Sequence, residues 1–145
     1  MASSPPLPTR AAADDAWALM GRMLQANRGR RATVLTELEL SPPQAQALRQ
    51  LHEDEPCPMS ELAGQLCCDN SNVTGIVDRL ERRGLVERRP AEHDRRVKLV
   101  QLTPAGAALR EEALRLLDAA PDGLRALSED EQRTLASLLA KALSA

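Results

Sequence analysis

At 145 residues and 15.8 kDa the chain is the size of one domain able to bury a real core. Hydrophobic residues make up 43% and charged residues 28%, which excludes wholesale disorder, and no apolar run reaches the roughly 18 residues of a membrane span. A net charge of −2 excludes a uniformly basic coat for nucleic acid. Aromatic residues amount to a single Trp, so the core must be built from Leu, Val, Ala and Met, and binding modes that stack bases on aromatic rings are disfavoured. Of the 19 basic residues only Lys98 and Lys141 are lysines. Arginine is the better fork for phosphate and guanine, although an Arg-biased genome gives the same skew.

In chain order, residues 1–13 carry Ser3, Ser4, Pro5, Pro6 and Pro8 and read as a mobile tail. They lack a basic start followed by an apolar stretch, so no signal peptide is expected and a cytoplasmic location is. A helical stretch is predicted over 14–38. Asp14 and Asp15 lie at its positive end, Trp17, Met20, Leu24, Val34 and Leu38 share one face, and a polar gap interrupts it around Asn27 to Arg31. Ser41-Pro42 is a cap followed by proline at the first helical position, and the helix after it buries Ala45, Leu48 and Leu51. Glu53 to Pro56 breaks that helix. A short helix over 59–66 turns its Leu62, Ala63 and Leu66 inward. A turn at Cys67 to Asn70 leads to a helix over 71–83, capped by Asp69 or Asn70, with Val73, Ile76, Val77 and Leu80 on its apolar face. Gly84 ends it in the left-handed region.

The period then changes from helix to strand. Leu85 to Arg89 and Val97 to Leu102 flank a polar loop at Pro90 to Arg96, which predicts a β-hairpin with an extended tip. Thr103-Pro104 restarts a helix whose core face is Leu109, Ala113, Leu116 and Leu117. Ala120 to Gly123 marks a break, Ser128 and Glu131 form a capping box, and a last helix buries Leu135, Leu138, Leu139 and Leu143. The order predicts a mainly α fold: a winged helix-turn-helix over 39–103, with a two-stranded β-hairpin wing and flanking helices at 14–38 and 104–145. The second helix of the pair is the natural reader of a major groove. Charge agrees. Between Arg82 and Lys98 seven basic residues face three acidic ones, a local net of +4 that leaves the rest of the chain at −6.

Leu40-Ser41-Pro42, Ser60-Glu61-Leu62-Ala63 and Asp69-Asn70-Ser71-Asn72-Val73-Thr74 follow one another in order. They continue through Val77-Asp78-Arg79-Leu80-Glu81-Arg82-Arg83-Gly84-Leu85-Val86 to Asp94-Arg95-Arg96 and Leu102-Thr103-Pro104-Ala105-Gly106. This succession resembles the multiple-antibiotic-resistance regulator (MarR) family of bacterial transcription factors, over about 14–143. The resemblance implies a homodimer paired through the terminal helices, binding to a pseudo-palindromic operator in double-stranded DNA, and release by a small molecule or by thiol oxidation. Repression is the commoner mode in that family. Neither enzymatic activity nor a cofactor is expected.

The resemblance places Ser71, Asn72, Val73, Thr74, Gly75 and Arg79 against the major groove. Short hydroxyl and amide side chains there suit base edges and phosphates. Asp94-Arg95-Arg96 matches the family's Asp-x-Arg triplet at the wing tip. Arg96 is expected in the minor groove, where A·T-rich sequence deepens the negative potential. Asp94 is expected to fix its guanidinium, and Arg88, Arg89, Arg95 and Lys98 to neutralise phosphates.

An effector pocket of the family type draws here on Trp17, Met20, Met23, Arg28 and His52. Cys57, Cys67 and Cys68 are redox or soft-metal candidates. Cys67-Cys68 sits at the turn before the reading helix, where a change could tilt it, while a small buried core role is the plainer alternative. The two histidines make no metal spacing. Two rival readings stay open: a thiol- or metal-based protein built on the three cysteines, and a winged-helix module that binds protein instead of DNA.

Overall fold

The computed structural model describes residues 11–144, so the tail expected at 1–13 lies almost wholly outside the described residues. Ala12 and Ala13 already belong to the first helix. The chain divides into two units, one ending at Thr33 and the other beginning at Val34.

In the first unit the single helix expected over 14–38 is two helices, α1 (Ala12–Ala26) and α2 (Arg28–Glu37), the second running on into the next unit. Asn27 makes the break. Its backbone N–H reaches back to the Met23 and Leu24 carbonyls at 3.2 and 3.3 Å, and its side-chain amide donates to Met23 O at 2.9 Å. A side chain that competes for backbone partners ends helices. α1 buries no side chain, and Trp17 is 74% exposed.

The second unit holds the core. The helices α3 (Pro42–Gln50), α4 (Met59–Gln65) and α5 (Asn70–Arg82) surround fully buried Leu48, Leu51, Leu62, Val73, Val77 and Leu80. The start of α3 has the predicted Ser41 cap and Pro42, and adds a reciprocal bond from Gln44 that the sequence reading did not include. The Gln44 N–H donates to Ser41 Oγ at 3.3 Å, and the Ser41 N–H donates to Gln44 Oε1 at 2.8 Å. Ala47 and Leu48 fill its buried face, while Ala45 is only half-buried. α4 ends with Cys67 at φ +50, the Cys67 N–H bonded to Gly64 O and the Cys68 N–H to Ala63 O. That is the left-handed stop in which glycine is the usual residue. Gly84, at φ +71, stops α5 in the same way.

The hairpin pairs β2 (Val86–Pro90) with β3 (Lys98–Leu102), register Val86 to Leu102 through Pro90 to Lys98. A strand that sequence periodicity missed, β1 (Cys57–Pro58), adds to the other side of β3 and makes a three-stranded antiparallel sheet in the order β1-β3-β2. Val100 and Leu102 carry the sheet into the core. Thr103 caps α6 (Pro104–Leu117), its hydroxyl accepting from the Gly106 N–H at 3.1 Å and donating to Gly84 O at 2.6 Å. Arg49 and Asp118 tie α3 to the end of α6 through two bonds of 3.1 and 2.5 Å.

The expected break at Ala120 to Gly123 contains one turn of helix, α7 (Asp122–Arg125), before α8 (Glu129–Leu143). The Ser128–Glu131 capping box is present. The burial expected on α8 is not: Leu135 is half-buried, whereas Leu138 and Leu143 are 60% and 89% exposed. A helix with an apolar stripe and no core of its own leaves that stripe open. Among the described residues no helix is long and apolar enough to cross a membrane.

Candidate nucleic-acid interface

Helix α5 is fixed by its cap and by its buried stripe. Val73, Val77 and Leu80 recur at steps of four and three and are fully buried, so the opposite face must look outward. Asp69 is the cap. Its carboxylate accepts from the Asn72 N–H at 2.8 Å and from the Ser71 hydroxyl at 2.7 Å. These bonds, the backbone one foremost, hold the Asp69 carboxyl below the ordinary aspartate range. Asn70, Ser71, Asn72, Thr74 and Arg79 are exposed and Gly75 is half-buried. Val73 is a correction to the expected contact set: its side chain belongs to the core.

The wing projects beside this face. Its tip closes through the Ala91 N–H to Val97 O at 2.9 Å and the Val97 N–H to Asp94 O at 3.0 Å. Asp94 does not hold the Arg96 guanidinium as expected. Its carboxylate accepts the Arg96 main-chain N–H at 2.9 Å, an Asx-type turn that shapes the backbone and points no side chain. Arg89, Arg95, Arg96 and Lys98 are exposed.

Arg88 differs from them. Its Nε and Nη2 donate to Glu81 Oε2 at 3.0 and 2.6 Å, and Nη2 also meets Asp78. A guanidinium so engaged is a link between wing and helix before it is a phosphate ligand. Asp78 on α5 is drawn into the same link. Arg83 is committed too, donating to Glu39 O at 2.6 Å and Leu38 O at 3.2 Å, the carbonyls beyond the end of α2. Position in a charged run gives no sign of either commitment.

The two elements share a cleft of about 390 Å³. Ser60, Asn70, Val73 and Thr74 form one wall, and Arg88, Arg96, Val97 and Lys98 the other. Donors on a helix start and cations on a hairpin thus face one concave surface, an arrangement suited to a polyanion with a groove on each side of its backbone. Ser60 and Asn70 belong to this surface although the sequence pattern assigned them no contact. On the other flank of α5, a second cleft of about 690 Å³ lies against α3, with Ser71, Asn72, Gly75 and Arg79 facing Pro42, Pro43 and Gln46 and with Cys68 in its wall.

The three cysteines are separate in character. Cys57 is half-buried on β1, and burial pushes its thiol up from the ordinary range. Cys67 is exposed, and Cys68 packs against the core. Among the described residues no three His, Cys, Asp or Glu side chains are grouped to hold a metal. Trp17, Met20 and Met23 are exposed on α1, Arg28 is exposed at the start of α2, and His52 is exposed just past α3. None of the five lines either cleft beside α5.

Comparison with known proteins bears on the same surface. The sequence model of the MarR family matches residues 40–98, which include α3, α4, α5 and most of the wing. The organic hydroperoxide resistance transcriptional regulator of Bacillus subtilis is 36% identical over 56% of this chain and 55% of its own length. The transcriptional regulator FarR of Neisseria gonorrhoeae is 31% identical over 74% of this chain and 75% of its own. Against the first curated relatives the chain thus spans about half their length. Among solved structures, apo MarR from E. coli superposes with a TM-score of 0.69 at 31% identity, covering 87% of this chain and 95% of that one.

Proposed function

Because the chain belongs to the MarR family of transcriptional regulators, we propose that it is a homodimeric repressor that binds a pseudo-palindromic operator in double-stranded DNA. Its relatives are regulators and not enzymes. The observation that carries the reading is the shared cleft between the start of α5 and the wing. In this reading Asn70, Ser71, Asn72, Thr74 and Arg79 meet base edges and phosphates in the major groove. Arg96 enters the adjacent minor groove, and Arg89, Arg95 and Lys98 neutralise the backbone.

Two copies pair through the helices at 14–38 and 104–145. The open apolar side chains of α1 and α8, Trp17 and Leu138 among them, support this pairing. Two-fold symmetry then spaces the reading helices by about one turn of DNA, roughly 34 Å. A signal that alters this spacing releases the operator. Trp17, Met20, Met23 and Arg28 in the first unit, and separately His52 in the second, are the candidates for contact with a small molecule. The exposed Cys67 and the cleft-lining Cys68 support a thiol-based alternative. A cytoplasmic location belongs to the same reading.

The test is fluorescence polarisation against labelled duplexes from upstream of the protein's own coding sequence, with a random duplex as control. Selective binding supports the regulator. Absence of binding to any duplex moves the function to the protein-interaction reading.

A further inference from the structure

We propose that Arg88 is a positioning residue for DNA reading: held by Glu81 and Asp78, it sets the wing against α5 and covers two carboxylates that would otherwise repel phosphate. The inference rests on the DNA-binding reading above and deepens it.

Glu81 and Asp78 are three residues apart on α5, so both carboxylates rise from one side of the helix. Arg88 stands in the middle of β2, opposite Val100 of β3. Its planar fork uses Nε and Nη2 together, a geometry that fixes direction as well as distance. The guanidinium side chain is 26% exposed and the two carboxylates about 40%, so the contact is partly withdrawn from solvent and outweighs a surface pair.

Within β2, Arg88 is also the last residue toward the tip that is not exposed, since Arg89 and Pro90 are open. Beyond it the hairpin carries the cations of the cleft. The angle at which Arg96 and Lys98 face Asn70 and Thr74 therefore depends on a hold at this point. Electrostatics points the same way. Left alone, Asp78 and Glu81 would place two negative charges on the helix that enters the groove. The single positive charge between them removes half of that and binds the rest to a fixed site.

A double-mutant cycle tests this, with polarisation against the best-bound upstream duplex and a random duplex. Arg88→Met is expected to lower the ratio of specific to random binding about tenfold. The pair Asp78→Asn, Glu81→Gln makes the protein less negative yet is expected to lower the same ratio, through tighter random binding and a freed wing. Adding Arg88→Met to that pair is then expected to cost less than about twofold more, because the link is already gone. Arg88→Lys keeps the charge without the fork and is expected to fall between wild type and Arg88→Met, with an unchanged melting temperature and circular dichroism.

The proposal is overturned if Arg88→Met weakens both duplexes equally while the Asn/Gln pair keeps the ratio intact, for Arg88 is then a simple phosphate ligand. It is also overturned if Arg88→Lys matches wild type, which reduces the residue to its charge. Arg96→Ala runs beside these variants. If Arg96→Ala keeps full affinity and flank preference, the wing's minor-groove role fails; if wild type itself binds no upstream duplex above the random one, the DNA reading fails, a result distinct from failure of Arg88 alone.

Discussion

Gly106 lies directly against the main chain of Leu85: a Cβ at position 106 would stand 1.8 Å from the Leu85 carbonyl oxygen. That carbonyl already accepts the Thr103 N–H at 3.1 Å, so it is held in place where α6 meets the foot of the wing. A backbone oxygen cannot swing aside as a side chain can. Gly106→Ala is expected to lower stability by about 3 kcal/mol, toward the upper end of overpacking effects. Thermal or urea denaturation measures it. The neighbouring Ala105→Gly, at an exposed position, serves as the mild control.

The wing tip separates shape from contact. Asp94→Asn keeps an oxygen for the Arg96 N–H and is expected to bind DNA within about twofold of wild type. Asp94→Ala loses that turn and is expected to cost about fivefold or more, the size of one lost hydrogen bond. Arg96→Ala is expected to abolish preference for A·T-rich flanks while leaving the fold intact. Polarisation with A·T-rich and G·C-rich flanking duplexes distinguishes the three.

Pairing through the terminal helices is checked by light scattering. Wild type is expected at twice 15.8 kDa. Leu138→Glu with Leu143→Glu puts charge on the open stripe of α8, where both side chains are exposed in the single chain. The variant is expected to be a folded monomer with its circular dichroism retained and its operator affinity lowered. A variant that stays dimeric would place the interface elsewhere.

Asp69 gives α5 a dependence on pH. Its folded-state pKa is depressed, so the cap contributes in full above the ordinary aspartate value of 3.8 and is lost as the pH falls through the lower, folded value. Asp69→Asn retains the acceptor without the charge. The stability difference between the two proteins is therefore expected to be constant from neutral pH down to about 4 and to shrink below it. Denaturation at stepped pH reads this directly. A difference that grows on acidification would show that the carboxylate is not the favoured form in the folded state.

Much of the fold is written in local signals. Ser41-Pro42, Thr103-Pro104, Ser128 with Glu131, and Gly84 mark helix ends because each acts within about four residues of itself. The buried face of α5 is equally legible from its period. Strand β1 is not, for two residues carry no period and their pairing with Leu99 and Val100 lies some 40 residues away. Asn27 left only a polar gap as its trace, and at the helix break its side-chain amide competes with its own backbone N–H for the Met23 carbonyl. In the candidate interface the exposed cations were visible as a run, but their allocation was not. Arg83 and Arg88 look like Arg89 and Arg95 in sequence, and only the packing of α5 against its neighbours brings them to carbonyls and carboxylates. The leucines of α8 read as core because a stripe left open on the surface has the same spacing as one that faces its own core.

The commitment of Arg83 and Arg88 within the fold also limits how many ions a duplex gives up on binding. Seven cations lie between Arg82 and Lys98; Arg83 and Arg88 commit their donors to protein oxygens, and the Arg82 Nε donates to the Asp78 carbonyl at 3.3 Å. Each B-DNA phosphate neutralised releases about 0.9 of a counterion, so the four remaining cations, Arg89, Arg95, Arg96 and Lys98, would account for a salt-dependence slope of about 3.6 per protomer, where the full run of seven would give about 6. Titrating salt against operator affinity would therefore count, in released ions, how much of the basic stripe is available to DNA and how much is spent on holding the wing.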